Sequence, residues 1–227
     1  MSTKIYNPLI VKTNPRSTAA EAFRALRTNI QFMNPDQSLK SIVVTSACPG
    51  EGKTTLMANL AVSIAQLGKK VICVDSDLRK PALHNVFNIL NMKGLTDYLM
   101  GMHSLENVLQ STGIEGLSLI TSGLKPPDPS EVLSSQKMKA LMKQLSSEYD
   151  FVIYDSPPVI SVTDAVILSS QTDGVILLVD SRTSARQAVV RAKQTLELAN
   201  AKILGVVLGK VSKETRGYYH YYYHVRE

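Results

Sequence analysis

Six short runs along the chain carry apolar residues at consecutive positions: SIVVTSA (41–47), KVICVDSD (70–77), LSLITSG (117–123), FVIYDSPP (151–158), GVILLVDS (174–181) and ILGVVLGKV (203–211). A strand with one wet face would alternate apolar and polar residues, and these runs do not. They predict strands buried on both faces, as in a parallel sheet covered by helices on each side. Helical spacing fills the stretches 55–68, 135–148 and 184–199, and another helix is predicted over 17–33, ahead of the first strand. In that leading helix Phe23, Leu26, Ile30 and Met33 mark the stripe expected to face the core. Thr18 and Glu21 fit a capping box, and Asn34-Pro35 is a stop signal. Residues 1–16 hold two prolines and no period, so they are expected to form an extended N-terminal arm.

Strands alternating with helices predict one α/β domain over residues 1–211, followed by a flexible tail, 212–227. The chain has 227 residues and is 44% hydrophobic, which suits a single core. Its net charge of +6 favours acidic surfaces such as anionic lipid or an acidic partner segment. No dense Lys/Arg stripe with interleaved aromatics appears, so nucleic acid is not an expected partner. Cys48 and Cys73 are too few for a disulfide framework and suit a reducing cytosol. No apolar run reaches the ~20 residues of a membrane span, and the N-terminus has no signal-peptide core. The expected location is cytoplasmic.

The stretch SACPGEGKTT (46–55) changes the picture from fold to chemistry. It follows a predicted strand and opens a predicted helix, the context a Walker A phosphate loop requires. Gly50 and Gly52 let backbone amides approach a phosphate, and the helix N-terminus adds unpaired N–H groups. Lys53 supplies a point charge to the β- and γ-phosphates, and Thr54 offers a hydroxyl to Mg²⁺. Pro49, Gly50, Glu51, Gly52, Lys53, Thr54 and Thr55 are the residues expected around the nucleotide. Ala47 stands where the loop usually has its first glycine, and its small side chain is expected to leave the loop working. Asp75, Asp77 and Asp155 close two of the predicted strands. In an open parallel sheet ligands bind beyond the carboxyl ends of strands, so all three belong on the edge that carries Lys53. Three carboxylates there suit Mg²⁺ and its waters beside a nucleotide. The fold class is therefore a P-loop NTPase-type, mostly parallel sheet with helices on both faces.

Together, ACPGEGKT, the second element ICVDSDLRKP, FVIYD followed by SPP, and KPPDPSEVLSS (125–135) resemble the bacterial tyrosine kinases of capsule and exopolysaccharide systems. So does the C-terminal tyrosine cluster, and the likeness runs from about Thr18 to the end. The nearest form is the separate cytosolic kinase subunit, CapB/CpsD-like, of Gram-positive bacteria. The resemblance implies an ATP-dependent protein-tyrosine kinase that phosphorylates its own tail in trans. It implies that Lys53 and Thr54 hold phosphates and metal, that Asp155 is the Walker B acid, and that Asp75 and Asp77 are the Walker A′ acids. Asp75 would accept the proton of the attacking tyrosine, although either member of that pair could serve the metal instead. Glu21, Arg24 and Arg27 match the family's E-x-x-R-x-x-R element, which implies contact with the neighbouring subunit of a ring. On its own, that helix face needs no more than a Glu21/Arg24 i,i+3 pair worth at most about 0.5 kcal/mol. The implied partners are a transmembrane activator of the polysaccharide co-polymerase type, which recruits the kinase to the inner face of the membrane, and a tyrosine phosphatase. The implied output is control of polysaccharide synthesis and export.

The tail RGYYHYYYHVRE places Tyr218, Tyr219, Tyr221, Tyr222 and Tyr223 among polar neighbours at a chain end. Core building does not explain it; a phosphorylated tail does. A sticky edge strand or a partner-binding aromatic patch is the ordinary alternative, given the β propensity of tyrosine. His220 and His224 lack a third metal ligand nearby. Two rivals to the kinase reading are an assembly ATPase like those of plasmid partition and the division site, and a nucleotide-responsive scaffold. The partition ATPases carry K-G-G-x-G-K-T, and here Cys48 stands at the signature lysine and Pro49 at the first glycine.

Overall fold

The computed structural model describes residues 8–33 and 39–211. Seven strands form one sheet: β1 (Ser41–Ser46), β2 (Val71–Asp75), β3 (Leu109–Ile114), β4 (Leu117–Ile120), β5 (Phe151–Asp155), β6 (Gly174–Asp180) and β7 (Ile203–Gly209). Their order is β3-β4-β2-β5-β1-β6-β7, and every pairing is parallel except β3 with β4. The helices are α1 (Ile10–Thr13), α2 (Thr18–Phe32), α3 (Lys53–Ala65), α4 (Leu83–Phe87), α5 (Leu95–Leu99), α6 (Leu105–Val108), α7 (Pro129–Ser134), α8 (Gln136–Glu148), α9 (Asp164–Ser169) and α10 (Arg186–Leu198).

Successive strand residues divide between two cores, which is why the strands read as continuous apolar runs. Ile42, Val44, Cys73 and Ile153 join one cluster with residues of α1 to α4. Val43, Ile72, Val74 and Val152 join the other with residues of α8, α9 and α10. Helix α3 packs on β1, β2 and β5 and is covered by α1, α2 and α4, so from Leu56 to Ala65 every residue is buried.

Four local expectations are revised. Residues 10–13 form a helical turn rather than extended chain. Buried Asn59 of α3 accepts from the Val11 amide at 3.0 Å and donates to the Pro8 carbonyl at 2.7 Å, which docks this segment on the core. The cap of α2 is Ser17, not Thr18; its hydroxyl accepts from the Ala20 amide at 3.1 Å, and Glu21 instead pairs with Arg24. Ile30 is buried and Phe23 and Leu26 pack on the core, but Met33, one residue past the helix, is exposed. Strand β3 was not expected: it is an edge strand whose alternating exposure leaves no buried run to detect.

Candidate functional site

The loop between β1 and α3 turns on two glycines with positive φ, Gly50 (78°) and Gly52 (106°), so α3 starts at Lys53 immediately after a left-handed residue. A side chain at Gly52 would be strained there. The first amides of α3 consequently face the cavity mouth with no partner inside the helix. A cavity of about 460 Å³ opens beside them, lined by Gly50, Gly52, Lys53, Thr54, Asp77 and Arg79 among others. Pro49 and Thr55 also line it; Glu51 does not. The Glu51 carboxylate turns away, accepting from the Cys48 amide at 3.1 Å and bonding the Ser184 hydroxyl. Ala47 is fully buried in the second core, so its methyl occupies space behind the loop.

The carboxylates gather as expected at the strand ends. Asp75 and Asp155 are register partners on adjacent strands β2 and β5. Thr54 donates its hydroxyl to Asp155 Oδ2 at 2.6 Å. Asp75 Oδ2 accepts from the Ala82 and Leu83 amides at 3.1 and 3.0 Å, and Asp77 Oδ1 accepts from the Lys80 amide at 2.9 Å. Asp75 Oδ1 and Asp155 Oδ1 are buried with no hydrogen-bond partner. Two orphaned carboxylate oxygens in neighbouring buried acids are costly unless a cation or a proton meets them.

Their acidities record that cost. Burial pushes the Asp155 carboxyl up to about 7, against the opposing Thr54 hydrogen bond and Lys53 charge. Burial first, and then the Asp155 charge, holds Asp75 well above the usual carboxylate range. Among the described residues no three His, Cys, Asp or Glu side chains close into a metal cage. Mg²⁺ rarely uses one: it takes one or two carboxylates together with substrate phosphates and waters. Thr54 with Asp155 fits that kind of open site.

A pH dependence follows. A carboxylate whose folded pKa exceeds its unfolded value stabilises the fold fully below about 4, and that contribution is lost as pH rises. For Asp155 the loss completes through about 7. The Asp180 carboxyl, held at about 2 chiefly by its Lys210 hydrogen bond, changes stability only below that window. In EDTA, urea unfolding of the protein is expected to show stability falling from pH 4 to 7, with a shallower fall in Asp155→Asn. Equal slopes in the two proteins would contradict the assignment.

Several site features were not visible in the sequence. Arg79, on the cavity wall, makes two bonds to the buried Asp164 carboxylate at 2.8 and 2.9 Å and one to the Ser130 hydroxyl at 3.2 Å. Lys210 reaches the phosphate loop from the end of β7. Of the trio expected at a subunit contact, Arg24 bonds Glu21 and the Pro15 carbonyl, while Arg27 turns inward to the Ser63 carbonyl at 2.7 Å. Tyr218, Tyr219, Tyr221, Tyr222 and Tyr223 lie outside the described residues.

The AAA domain family matches residues 39–204. The tyrosine-protein kinase YwqD of Bacillus subtilis is 42% identical over 220 residues, covering 96% of this chain and 93% of its own length. A putative tyrosine-protein kinase, CapB, of Staphylococcus aureus is 36% identical and covers 96% of this chain and 95% of its own length. Among solved structures, the chimerical protein CapA2B2 superposes with a TM-score of 0.89 at 43% identity, covering 92% of each chain. The septum site-determining protein MinD of Pyrococcus horikoshii, complexed with Mg-ADP, gives 0.65 at 27% identity, covering 78% of this chain and 75% of its own.

Proposed function

The chain belongs to the bacterial tyrosine-protein kinases, and from that premise we propose that it transfers the γ-phosphoryl group of ATP to the tyrosines of its own C-terminal cluster, acting on a second copy of itself. The observation that carries this reading is the convergence of Lys53, Thr54, Asp155 and Asp75 on one sheet edge, with two carboxylate oxygens left unbonded.

The steps assigned to the chain are mostly positioning. The loop amides and the Lys53 ammonium bind the phosphates. Thr54 and Asp155, bonded to each other at 2.6 Å, are the residues that would hold Mg²⁺. Bound Mg²⁺ supplies neutralisation of the charge that builds on the phosphates. A tyrosine oxygen attacks the γ-phosphorus, the bond to the ADP oxygen breaks, and the phenol proton passes to a carboxylate. Asp75 is the acceptor in this reading, because its Oδ1 is unbonded and burial raises its proton affinity. Asp77 lies on the cavity wall and would serve the metal in this reading. The MinD-type assembly switch is disfavoured by Cys48 at the signature-lysine position and by relatives named as tyrosine kinases.

The tail provides a switch in this account. Each phosphotyrosine adds about −1.5 to −2 charge, so five add roughly −7 to −10. That exceeds the +6 of the whole chain and repels a tail from a neighbour's acidic site. Ring assembly through Glu21, Arg24 and Arg27 of α2 would then weaken as the tail fills with phosphate. A transmembrane activator of the polysaccharide co-polymerase type, which brings the kinase to the membrane, and an opposing tyrosine phosphatase complete the reading. The output is control of capsular or exopolysaccharide synthesis. Among the described residues no helix is long and apolar enough to cross a membrane.

Transfer in trans has a direct test. Nitrogen-15-labelled wild type is mixed with unlabelled Lys53→Met protein and Mg·ATP, and the two are separated by intact mass. Phosphate is expected on the light, inactive chains at tail tyrosines. Phosphate confined to the heavy chains would overturn transfer between copies.

A further inference from the structure

The outer side of the phosphate loop is held by a cation that the Walker motif does not contain. Lys210 follows β7 directly, and its Nζ donates to the Gly50 carbonyl at 2.9 Å and to Asp180 Oδ2 at 2.7 Å. Asp180 closes β6 and is 2% exposed, and its other oxygen accepts from the Arg182 amide at 3.0 Å. Arg182 Nε in turn donates to the Lys210 carbonyl at 2.9 Å. Both the side chain and the backbone of Lys210 are therefore fixed by β6-end residues. An exposed ion pair would contribute little. This one has a buried carboxylate on one side and a phosphate-loop carbonyl on the other.

The carbonyl matters because of peptide geometry. In a trans peptide the C=O of one residue and the N–H of the next point in opposite directions. With the Gly50 carbonyl held on Lys210, the Glu51 N–H points to the opposite side of that peptide, away from Lys210, between cavity-lining Gly50 and Gly52. The Glu51 side chain is restrained from the same quarter, bonding Ser184 and accepting from the Cys48 amide. The ends of β6 and β7 thus brace the outside of the loop.

We propose that Lys210 is a positioning residue for nucleotide binding: braced by Asp180, its ammonium fixes the Gly50 carbonyl outward and so presets the Glu51 amide for the phosphates. The proposal rests on the reading of this loop as the nucleotide site. Amides aimed in advance bind phosphate without the cost of reordering the loop.

The test is fluorescence titration of the full chain with mant-ADP and Mg²⁺, comparing wild type, Lys210→Met and Lys210→Arg. Each is repeated as competition by inorganic pyrophosphate, and melting temperatures are taken alongside. Lys210→Met is expected to weaken both ligands about tenfold, the scale of one charge-assisted hydrogen bond, and to lower the melting temperature, because buried Asp180 loses its cation. Lys210→Arg is expected to recover most of that loss, since it restores the charge and the donor. Unchanged affinity in Lys210→Met overturns the proposal alone. Weakened ADP with unchanged pyrophosphate also overturns it, because Lys210 would then act on the nucleoside rather than through the loop. A loss that Lys210→Arg does not repair identifies a structural role and does the same. Wild type that binds no mant-ADP overturns both this proposal and the site reading beneath it.

Discussion

Lys53→Met is expected to abolish tyrosine phosphorylation, by about a thousandfold or more, in a protein that still folds. The size follows from the job assigned to the side chain. A preorganised charge at transferring phosphate, in a site sheltered from water, contributes several kcal/mol to the transition state. Lys53 is 8% exposed and opens α3 at the cavity mouth, so its charge is held in a fixed place. The fold should tolerate the change. Methionine has similar length and volume, and a buried ammonium exchanged for an apolar group removes a desolvation cost rather than adding one. One side effect is predicted: Lys53 lowers the proton affinity of Asp155, so the variant should hold a proton on Asp155 to higher pH. Single-turnover measurement with saturating Mg·ATP separates chemistry from binding. Phosphorylation at the normal rate in nucleotide-bound Lys53→Met would sink the site assignment.

Gly94→Ala is expected to lower stability by about 3 kcal/mol or more, the upper range of overpacking. Gly94 has ordinary extended backbone, with φ of −165°, so its freedom is not the issue. Space is. A methyl group there would lie 2.1 Å from the Thr121 carbonyl oxygen and 2.3 Å from the Gly123 nitrogen. Both are backbone atoms, which cannot swing aside as a side chain does. The close approach lets the Leu95 amide reach the Thr121 carbonyl at 2.7 Å and the Thr96 amide reach the Ser122 carbonyl at 2.9 Å. It also lets Asp97 take the Gly94 amide at 2.9 Å. Forcing the segments apart would break the junction between α5 and the end of β4. Gly68→Ala is the control: its added methyl meets nothing within 4 Å, but φ is +74°. It should cost about 1 kcal/mol for conformation alone. A urea midpoint for Gly94→Ala equal to that of Gly68→Ala would refute the packing argument.

What could be read from the sequence was local. The strands β1, β2, β4, β5 and β6 announced themselves because each is buried over all or most of its length, and burial on both faces writes continuous apolar runs. Strand β7, also apolar in sequence, is instead a partly exposed edge strand with Val206 and Leu208 exposed. The phosphate loop and the three acids were legible because each sits at a strand end, where fold rules place ligands. Helices α4 to α7 and α9 run only four to six residues, too short to display a period. Strand β3 alternates in exposure and pairs with β4 across a tight hairpin, and its one irregularity between Ser111 and Ile114 blurs even that signal. The site's supporting contacts are the least legible of all. Arg79 meets Asp164 across 85 positions, and Lys210 meets the Gly50 carbonyl across 160. Residue types at such separations carry no joint pattern until the sheet order brings β7 beside β6 and its end beside the loop. Arg27 likewise bonds the Ser63 carbonyl of its own chain across 36 positions, a contact its motif spacing does not announce.

The central claim is that this phosphate loop serves phosphoryl transfer to tail tyrosines. The most direct measurement is the intact mass of the purified full chain after incubation with Mg·ATP, with peptide mapping of the product. The account predicts a ladder of up to five added phosphates, mapping to Tyr218, Tyr219, Tyr221, Tyr222 and Tyr223 and absent from Lys53→Met. If incubation is repeated with the activator's cytosolic segment present and the mass still does not change, while mant-ADP binding is intact, the loop binds nucleotide for some purpose other than tyrosine phosphorylation, and the account is contradicted.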